Sequence, residues 1–564
     1  YLIAATFFIF ILVRVVLLQV FDTDCFLLNK NKCKNNLSSV ADKRQIVNRV
    51  IDTSRGTIFD RNNEILAMSL PRKTLCINPN MLSKLSKEEI IKYKPLLKIL
   101  ATDETRFWKL INKYKKRKEF YLRRKINDKL VYKINQLNLP FVYFIKEYHR
   151  VYLGGKAFSN VIGFTDIDDV GQEGIELSKN ESLTSTKGLK KIKKDNLGRS
   201  IQTIEIIKQP ISGKDIYLSL DKNIQIIGYN VLKKYVEKYS ADSASLVLVK
   251  NKTGEIISMV NYPAFNPDIR HEMKGVKIKN RVATEVFEPG STMKPFIILA
   301  ALNANSVNQQ DLIDTTPGII KIGEKKIKDP RNYGKLTLSQ IIEKSSNVGA
   351  VLVSRSLDKK DLWNTLTSLQ FGQNLYTGFS GEQFGELNHH SQWKSVNQET
   401  IAYGYGISTT LLHLSSAYSI LANHGKSIQL TYLRVESDDE IFEEDIIDAT
   451  LSKDILKMMI QVVKKGTGTK ASLDKYTVAG KTGTVQILKK KGYTSEEHNT
   501  LFVGVVPATN PQYVAAIIVR KPNPGKDKAS GGKNAAPIFK EFMSQSLNLL
   551  RVYPDKKIVE NEKE

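Results

Sequence analysis

Two residues in the stretch F-E-P-G-S-T-M-K-P-F, positions 287–296, have the types and spacing for covalent chemistry. Ser291 and Lys294 stand at i and i+3, on one face of a helix. A serine hydroxyl is a weak nucleophile until an adjacent base takes its proton. A lysine can be that base once burial has lowered its pKa. Glu288, Pro289 and Gly290 predict a turn before the pair, and the apolar run Phe296 to Leu302 predicts a helix after it. Ser291 would then sit at a helix N-terminus, whose unpaired N–H groups suit a developing oxyanion. The chemistry implied is nucleophilic attack on a carbonyl.

An S-x-x-K spacing alone is common on exposed helices. Two further segments give it weight: Ser345-Ser346-Asn347, an S-x-N, and Lys481-Thr482-Gly483-Thr484, a K-T-G-T. The trio resembles the signature shared by penicillin-binding proteins and class A β-lactamases, and its order, with gaps of roughly 50 and 130 residues, fits that fold.

The elements that must position these residues can be read in part. Asp221 to Tyr239 is an amphipathic helix with Gln225 near its start. Ser245 to Val249 and Glu255 to Val260 are strands joined by the hairpin signal Asn251-Lys252-Thr253-Gly254. Thr337 to Gln340 is a capping box opening a helix that ends at Ser345, where a second helix starts. Residues 410–424 are helical. Tyr476 to Gly480 is a strand delivering Lys481 to Thr484 onto a sheet edge, followed by strands at Phe502 to Val506 and Tyr513 to Arg520. A Gly/Lys-rich loop at 525–533 precedes a terminal helix, Pro537 to Leu550. Strands flanked by clustered helices predict an α+β fold: an antiparallel sheet with a helical subdomain beside it.

The first part of the chain has a different character. Residues 1–21 are almost wholly apolar, the length of a bilayer-spanning helix, with Arg14 and Gln19 as interruptions. No small-residue cleavage site follows, which disfavours a signal peptide. Residues 22 to about 45 are a polar linker. Arg55 to Ala67 reads as strand, turn, strand, and residues 82–117 carry helical periodicity. Phe120 to Ile126 and Arg150 to Tyr152 alternate basic and apolar residues. Gly171 to Glu176 is a turn into a helix, and Lys187 to Lys194 is a basic hairpin-like stretch closed by Asp195 to Arg199. No acid–base or nucleophile constellation appears there.

Composition narrows the function. The 564 residues are 41% apolar and 25% charged, those of a globular protein with about two to four domains. The net charge of +27 reflects a lysine-rich chain or attraction to anionic lipid or wall polymer. Nucleic acid is a poor partner, because no binding motif accompanies the charge. Cys25, Cys33 and Cys76 all precede residue 80, so a thiol nucleophile is disfavoured, while Cys25 and Cys33 could pair in an oxidising compartment. No His/Cys spacing suggests a metal.

Taken together, R-G-T-I-F-D-R-N (55–62), R-V-Y (150–152) and G-Q-E-G-I-E (171–176) are similar to the pedestal motifs of class B penicillin-binding proteins. F-E-P-G-S-T-M-K-P, K-S-S-N-V-G-A, Ala402-Tyr403-Gly404-Tyr405-Gly406 and the membrane run L-V-R-V-V-L-L-Q-V resemble the septal, FtsI-type branch more than the elongation branch. Ala402 and Leu411 depart from that branch, where serine and proline are common.

The resemblance implies a transmembrane helix at 1–21, a pedestal of the dimerisation type at 22–215, a transpeptidase domain at 216–550 and a charged tail at 551–564. It implies a peptidoglycan D,D-transpeptidase, with no cofactor and no metal. Ser291 would attack the penultimate D-alanine carbonyl of a stem peptide, with Lys294 as general base. Ser345 would relay a proton to the leaving amine, and Asn347 would hold the substrate amide and Lys294. Lys481, Thr482 and Thr484 would bind the terminal carboxylate, and Gly483 would let the edge strand approach the substrate. The N–H groups of Ser291 and Thr484 would form the oxyanion hole, and β-lactams would acylate Ser291. Implied partners are stem peptides, the membrane, an FtsW-type glycosyltransferase and other division proteins, with the catalytic domain in the periplasm of the inner membrane. An elongation-specific enzyme is the nearest rival. A β-lactam sensor or a β-lactamase is more distant, since neither a second span nor a deacylating base can be placed.

Overall fold

The computed structural model describes residues 2–19, 45–194, 200–273, 275–437, 441–489, 492–523 and 528–556. Cys25, Cys33, the polar linker up to residue 44, Asp195 to Arg199 and the tail from residue 557 lie outside the described residues. The chain forms two compact units. One comprises Tyr1–Gly56, Ser69–Arg150 and Thr184–Lys214, and the other Thr57–Met68, Val151–Leu183 and Asp215–Glu564.

In the first unit, Leu2–Gln19 is helical. Among the described residues no helix is long and apolar enough to cross a membrane. The periodic stretch 82–117 is broken into the short helices Pro79–Leu82, Lys87–Ile91, Lys94–Ile99 and Glu104–Lys113. The breaks follow local chemistry. Asn78, Ser86 and Asp103 cap with their side chains, Ser86 forming a box with Glu89, and Pro95 opens a turn. Gly188–Lys194 is the central strand of a three-stranded antiparallel sheet, flanked by Ile46–Ile51 and Ser200–Lys208, which the sequence reading missed.

The second unit is built on a five-stranded antiparallel sheet. Its strands are β1 (Ser243–Lys250), β2 (Ile256–Tyr262), β3 (Ala479–Lys489), β4 (Gly492–Val506) and β5 (Tyr513–Arg520), in spatial order β2-β1-β5-β4-β3. Both faces are buried because alternate residues point opposite ways. Leu246, Leu248, Ile517 and Val519 pack in the cluster that holds α1 (Lys222–Lys238). Val247, Val249, Ala516 and Ile518 pack in the cluster that holds α2 (Lys294–Asn303). Gln225 of α1 is fully buried. Its amide accepts the Met259 N–H at 2.8 Å and donates to the Met259 carbonyl at 2.8 Å, as a neighbouring strand would.

Helix α2 is apolar all round and buried from Lys294 to Leu302, as a helix at the centre of a domain must be. Phe296, Ile297, Ile298 and Leu299 have no exposure, and each contributes about 1.5–3 kcal/mol by burial. The remaining framework is α3 (Leu338–Lys344), α4 (Asn347–Arg355), α5 (Leu411–Ala422), α6 (Ala449–Lys464) and α7 (Ala536–Leu549). Thr337 and Gln340 form the capping box of α3.

The 3₁₀ turn Gly290–Met293 feeds α2 and is held from two sides. The Tyr418 hydroxyl of α5 donates to the Thr292 carbonyl at 2.7 Å, and the Gly290 N–H donates to the Gly404 carbonyl at 3.0 Å. Gly404 has a φ of +83°, and a Cβ there would lie 2.0 Å from the Gly290 carbonyl oxygen. The Gly404→Ala variant is therefore expected to lose about 1–3 kcal/mol to the strained backbone alone and to displace the Ser291 turn. Thermal unfolding and the rate of Ser291 acylation check it: both should fall, and an unchanged acylation rate would contradict the packing account.

Candidate active site

Three elements converge on one amine. Ser291 lies in the 3₁₀ turn and Lys294 opens α2, so the i, i+3 spacing brings the Lys294 Nζ to 3.0 Å from the Ser291 Oγ. The junction between α3 and α4 supplies the rest. Lys294 Nζ lies 2.6 Å from the Ser345 carbonyl oxygen, 3.1 Å from Ser345 Oγ and 2.7 Å from Asn347 Oδ1. Lys294 has no exposed surface.

The donor inventory accommodates a neutral amine. A neutral amine has two N–H donors and one lone pair. The Ser345 carbonyl and Asn347 Oδ1 can only accept, and they are the nearest two groups. In the neutral form they take both N–H donors and leave the lone pair for a hydroxyl proton, with Ser291 Oγ nearest. Burial lowers the Lys294 pKa to about 7, against a smaller upward pull from the carboxylate of Asp329.

Lys481 reaches the same centre from β3, the edge strand. Its Nζ donates to Ser345 Oγ at 3.0 Å and to the Thr482 carbonyl at 3.1 Å, and it too is fully buried. Burial, then the neighbouring Lys294, hold its pKa well below the usual lysine value. Two ammonium groups on one buried hydroxyl repel, so a charge on either lysine favours the neutral form of the other.

Ser345 holds this centre at a cost. It caps α3 in the left-handed region at φ 58°, where glycine is the residue at ease. A glycine would lack the hydroxyl that both lysines touch. Ser346 caps α4 through the Gly349 N–H. Beneath the junction lies Asp329, which accepts hydrogen bonds from the Ser346 hydroxyl and from the N–H groups of Asn347, at 2.6 Å, and Val348, at 3.2 Å. It orients the S-x-N turn and is the carboxylate acting on Lys294.

The edge of β3 faces a cavity of about 620 Å³ lined by Ser291, Ser345, Asn347, Thr482, Thr484 and Gly531, among others. Lys328, Lys344, Lys470 and Lys533 also line it, so the cavity suits an anionic ligand. Thr484 Oγ1 accepts the Gly531 N–H at 3.1 Å, which leaves its own proton for a ligand, and Thr482 Oγ1 lies 2.7 Å from Thr467 Oγ1. Alternate residues of an antiparallel strand direct N–H and C=O to the same side. The Gln486 N–H is given to the Tyr405 hydroxyl, off the sheet, so the Thr484 N–H also points to the open edge.

Gly483 has a packing reason of its own. A Cβ there would meet Thr292 Cγ2 at 3.0 Å, Leu501 Cβ at 3.2 Å and the Pro289 carbonyl oxygen at 3.2 Å. Its missing side chain seats the edge strand against the nucleophile turn. Cys76 is buried in the first unit, with its thiol pushed up to about 12, which disfavours a nucleophilic thiolate.

The structure thus brings together Ser291, Lys294, Ser345, Asn347, Lys481, Thr482 and Thr484. Sequence reasoning missed Asp329, Thr467 and the Tyr418 tether. A lone K-D-P or an isolated threonine carries no periodic or motif signal. Gly404 was inside a recognised motif, but only the close approach to Gly290 gives it a reason.

A fold with a buried lysine amine on a serine hydroxyl, beside an open edge strand flanked by lysines, is that of a serine acyl-transferring enzyme. Residues 244–544 match the family described as penicillin binding protein transpeptidase domain, and residues 50–218 match the penicillin-binding protein dimerisation domain. The chain belongs to the penicillin-binding protein transpeptidase family. It is similar to the probable peptidoglycan D,D-transpeptidase PenA of Neisseria gonorrhoeae, 32% identical over 530 residues, 93% of this chain and 89% of the relative. It is also similar to the peptidoglycan D,D-transpeptidase FtsI of Buchnera aphidicola from Schizaphis graminum, 33% identical over 553 residues, 97% of this chain and 94% of the relative. Among solved structures, the apo transpeptidase domain of Burkholderia pseudomallei penicillin-binding protein 3 superposes with a TM-score of 0.55 at 33% identity, covering 60% of this chain and 98% of that one.

A base with a pKa of about 7 fixes the sign of a pH dependence. Below it Lys294 holds its proton and cannot take another, so the second-order rate constant for Ser291 acylation should rise with pH, with a midpoint near that value. The Asp329→Asn variant removes the charge that raises the pKa, so the midpoint should move to lower pH, with about 1 kcal/mol lost from the α4 cap. Stopped-flow acylation by a chromogenic β-lactam reads both, and a midpoint that stays or rises would contradict the electrostatic role of Asp329.

Proposed function

We propose that this chain is a peptidoglycan D,D-transpeptidase of the division septum, working through an acyl-enzyme on Ser291. The observation that carries the reading is the buried Lys294 amine, 3.0 Å from the Ser291 hydroxyl, with its other nearest neighbours confined to accepting hydrogen bonds. The terminal carboxylate of a stem peptide docks on Lys481 and on the hydroxyls of Thr482 and Thr484. That carboxylate favours charge on Lys481, and the charge keeps Lys294 neutral. Ser291 Oγ attacks the carbonyl carbon of the penultimate D-alanine as its proton passes to Lys294 Nζ. The N–H groups of Ser291 and Thr484 hold the oxyanion. The proton returns through Ser345 Oγ, which touches both lysines, to the nitrogen of the departing D-alanine as the C–N bond breaks. Asn347 fixes Lys294 and the substrate amide. An amine from a second stem peptide then takes the acyl group, forming the cross-link. A β-lactam follows the same path to an ester on Ser291.

In this reading residues 22–215 form a non-catalytic pedestal and 216–550 the catalytic domain. The apolar helix at the N-terminus anchors the chain in the inner membrane, with the catalytic domain in the periplasm. The similarity to relatives named peptidoglycan D,D-transpeptidase FtsI is what supports the septal assignment, and the partnership with an FtsW-type glycosyltransferase is part of the same proposal.

The Ser291→Ala variant should abolish covalent labelling by fluorescent penicillin. As the sole copy in a host that depends on this gene it should give filaments without septa. Lys294→Arg should lose acylation by about 10²–10⁴-fold, because a guanidinium cannot serve as a base. Labelling that persists in Ser291→Ala would refute the nucleophile, and round cells that still septate would assign the chain to elongation.

A further inference from the structure

A second cavity, of about 430 Å³, adjoins the nucleophile turn, and its lining includes Glu288, Glu386, Gly406, Val485, Gln486 and Asn499. We propose that it is the acyl-acceptor subsite and takes the primary ammonium group of the second stem peptide. This rests on the transpeptidase reading above and deepens it.

Position is the first argument. The two cavities share one strand edge: Thr482 and Thr484 line the first, and Val485, Gln486 and Ile487 the second. Successive strand residues rise about 3.3 Å, so the second cavity starts within one residue of the first. Ser291 lines one cavity and Glu288, at the start of the same turn, lines the other. A group in the second cavity is therefore placed to approach an acyl carbon on Ser291 from the side that the donor leaves open.

Charge is the second. The first cavity has four lysines on its wall, whereas the second has two carboxylates and no lysine or arginine among its lining residues. The donor ends in a carboxylate, and the acceptor arrives as an ammonium near neutral pH. The sorting matches the two halves of the reaction.

The acceptor atoms are the third. Glu288 Oε1 accepts the Gly406 N–H at 2.9 Å and the Tyr493 hydroxyl at 2.8 Å, which fixes the carboxylate and leaves Oε2 without a protein donor among the described residues. Asn499 Oδ1 is buried without a hydrogen-bond partner. A buried acceptor left unpaired by the fold is costly and points to a ligand that brings donors.

The step balances as follows. The amine nitrogen bonds to the acyl carbon and the bond from that carbon to Ser291 Oγ breaks. The ammonium sheds two protons to become the amide N–H: one passes to the Glu288 carboxylate and on to solvent, and the other reaches Ser291 Oγ through Lys294.

The test uses the full chain with a D-alanyl thioester donor and two nucleophiles, D-alaninamide, a cationic amine, and hydroxylamine, which is neutral at pH 7. Products of transfer and hydrolysis are separated by chromatography. Glu386→Gln and Glu288→Gln should each raise the D-alaninamide concentration for half-maximal transfer by about tenfold. Transfer to hydroxylamine should not move. Equal loss for both nucleophiles, or no loss for either, would overturn the proposal. A wild-type chain that forms no acyl-enzyme would remove the transpeptidase reading and this proposal with it.

Discussion

A lysine amine held away from water is the constraint on which the rest depends. In water Lys294 would carry a proton and be useless as a base. Enclosed at the start of an apolar helix, its amine keeps two hydrogen bonds to groups that can only accept and offers its lone pair to Ser291. Burial alone would penalise the amine without directing it. Direction comes from the Ser345 carbonyl, which a left-handed residue turns inward, and from Asn347 at the start of α4. Asp329 then fixes that turn from below and limits how far the amine's pKa can fall.

The sheet and helices are arranged to keep this geometry rigid. Helix α2 carries the base through the middle of the larger core and the 3₁₀ turn that feeds it carries the nucleophile, so neither can shift without disturbing residues of zero exposure. The edge strand is pressed against the nucleophile turn because Gly483 has no side chain, and the turn is pressed against Gly404 for the same reason. Small residues at these contacts give a close fit that larger ones would open. The open edge of β3 is the price of access, since an edge that is paired could not hold a substrate.

Much of this was legible in the chain, where the determinants are local. The i, i+3 pair and the Thr337–Gln340 box follow from spacing within a single turn, and the structure places them there. The K-T-G-T segment reads as an edge strand because a strand and a motif coincide. What was not legible depends on residues far apart. Asp329 is one carboxylate in a loop until the fold sets it beneath Ser346. Ile46–Ile51 becomes a strand only when paired with Gly188–Lys194, and the smooth periodicity of 82–117 hides four short helices, three of them capped by side chains. The division of the chain into interleaved units, with Thr57–Met68 and Val151–Leu183 joining the larger one, leaves no trace in composition.

The most direct measurement of the central claim is the ionisation of Lys294 itself. With ¹³Cε-labelled lysine, its resonance can be assigned by comparison with the Lys294→Arg protein and followed from pH 5 to 11. The account predicts a titration midpoint of about 7, far below the usual value of 10.5. A midpoint at or above 10 would show that the amine stays charged at neutral pH, and the serine–lysine mechanism derived from its burial would fail.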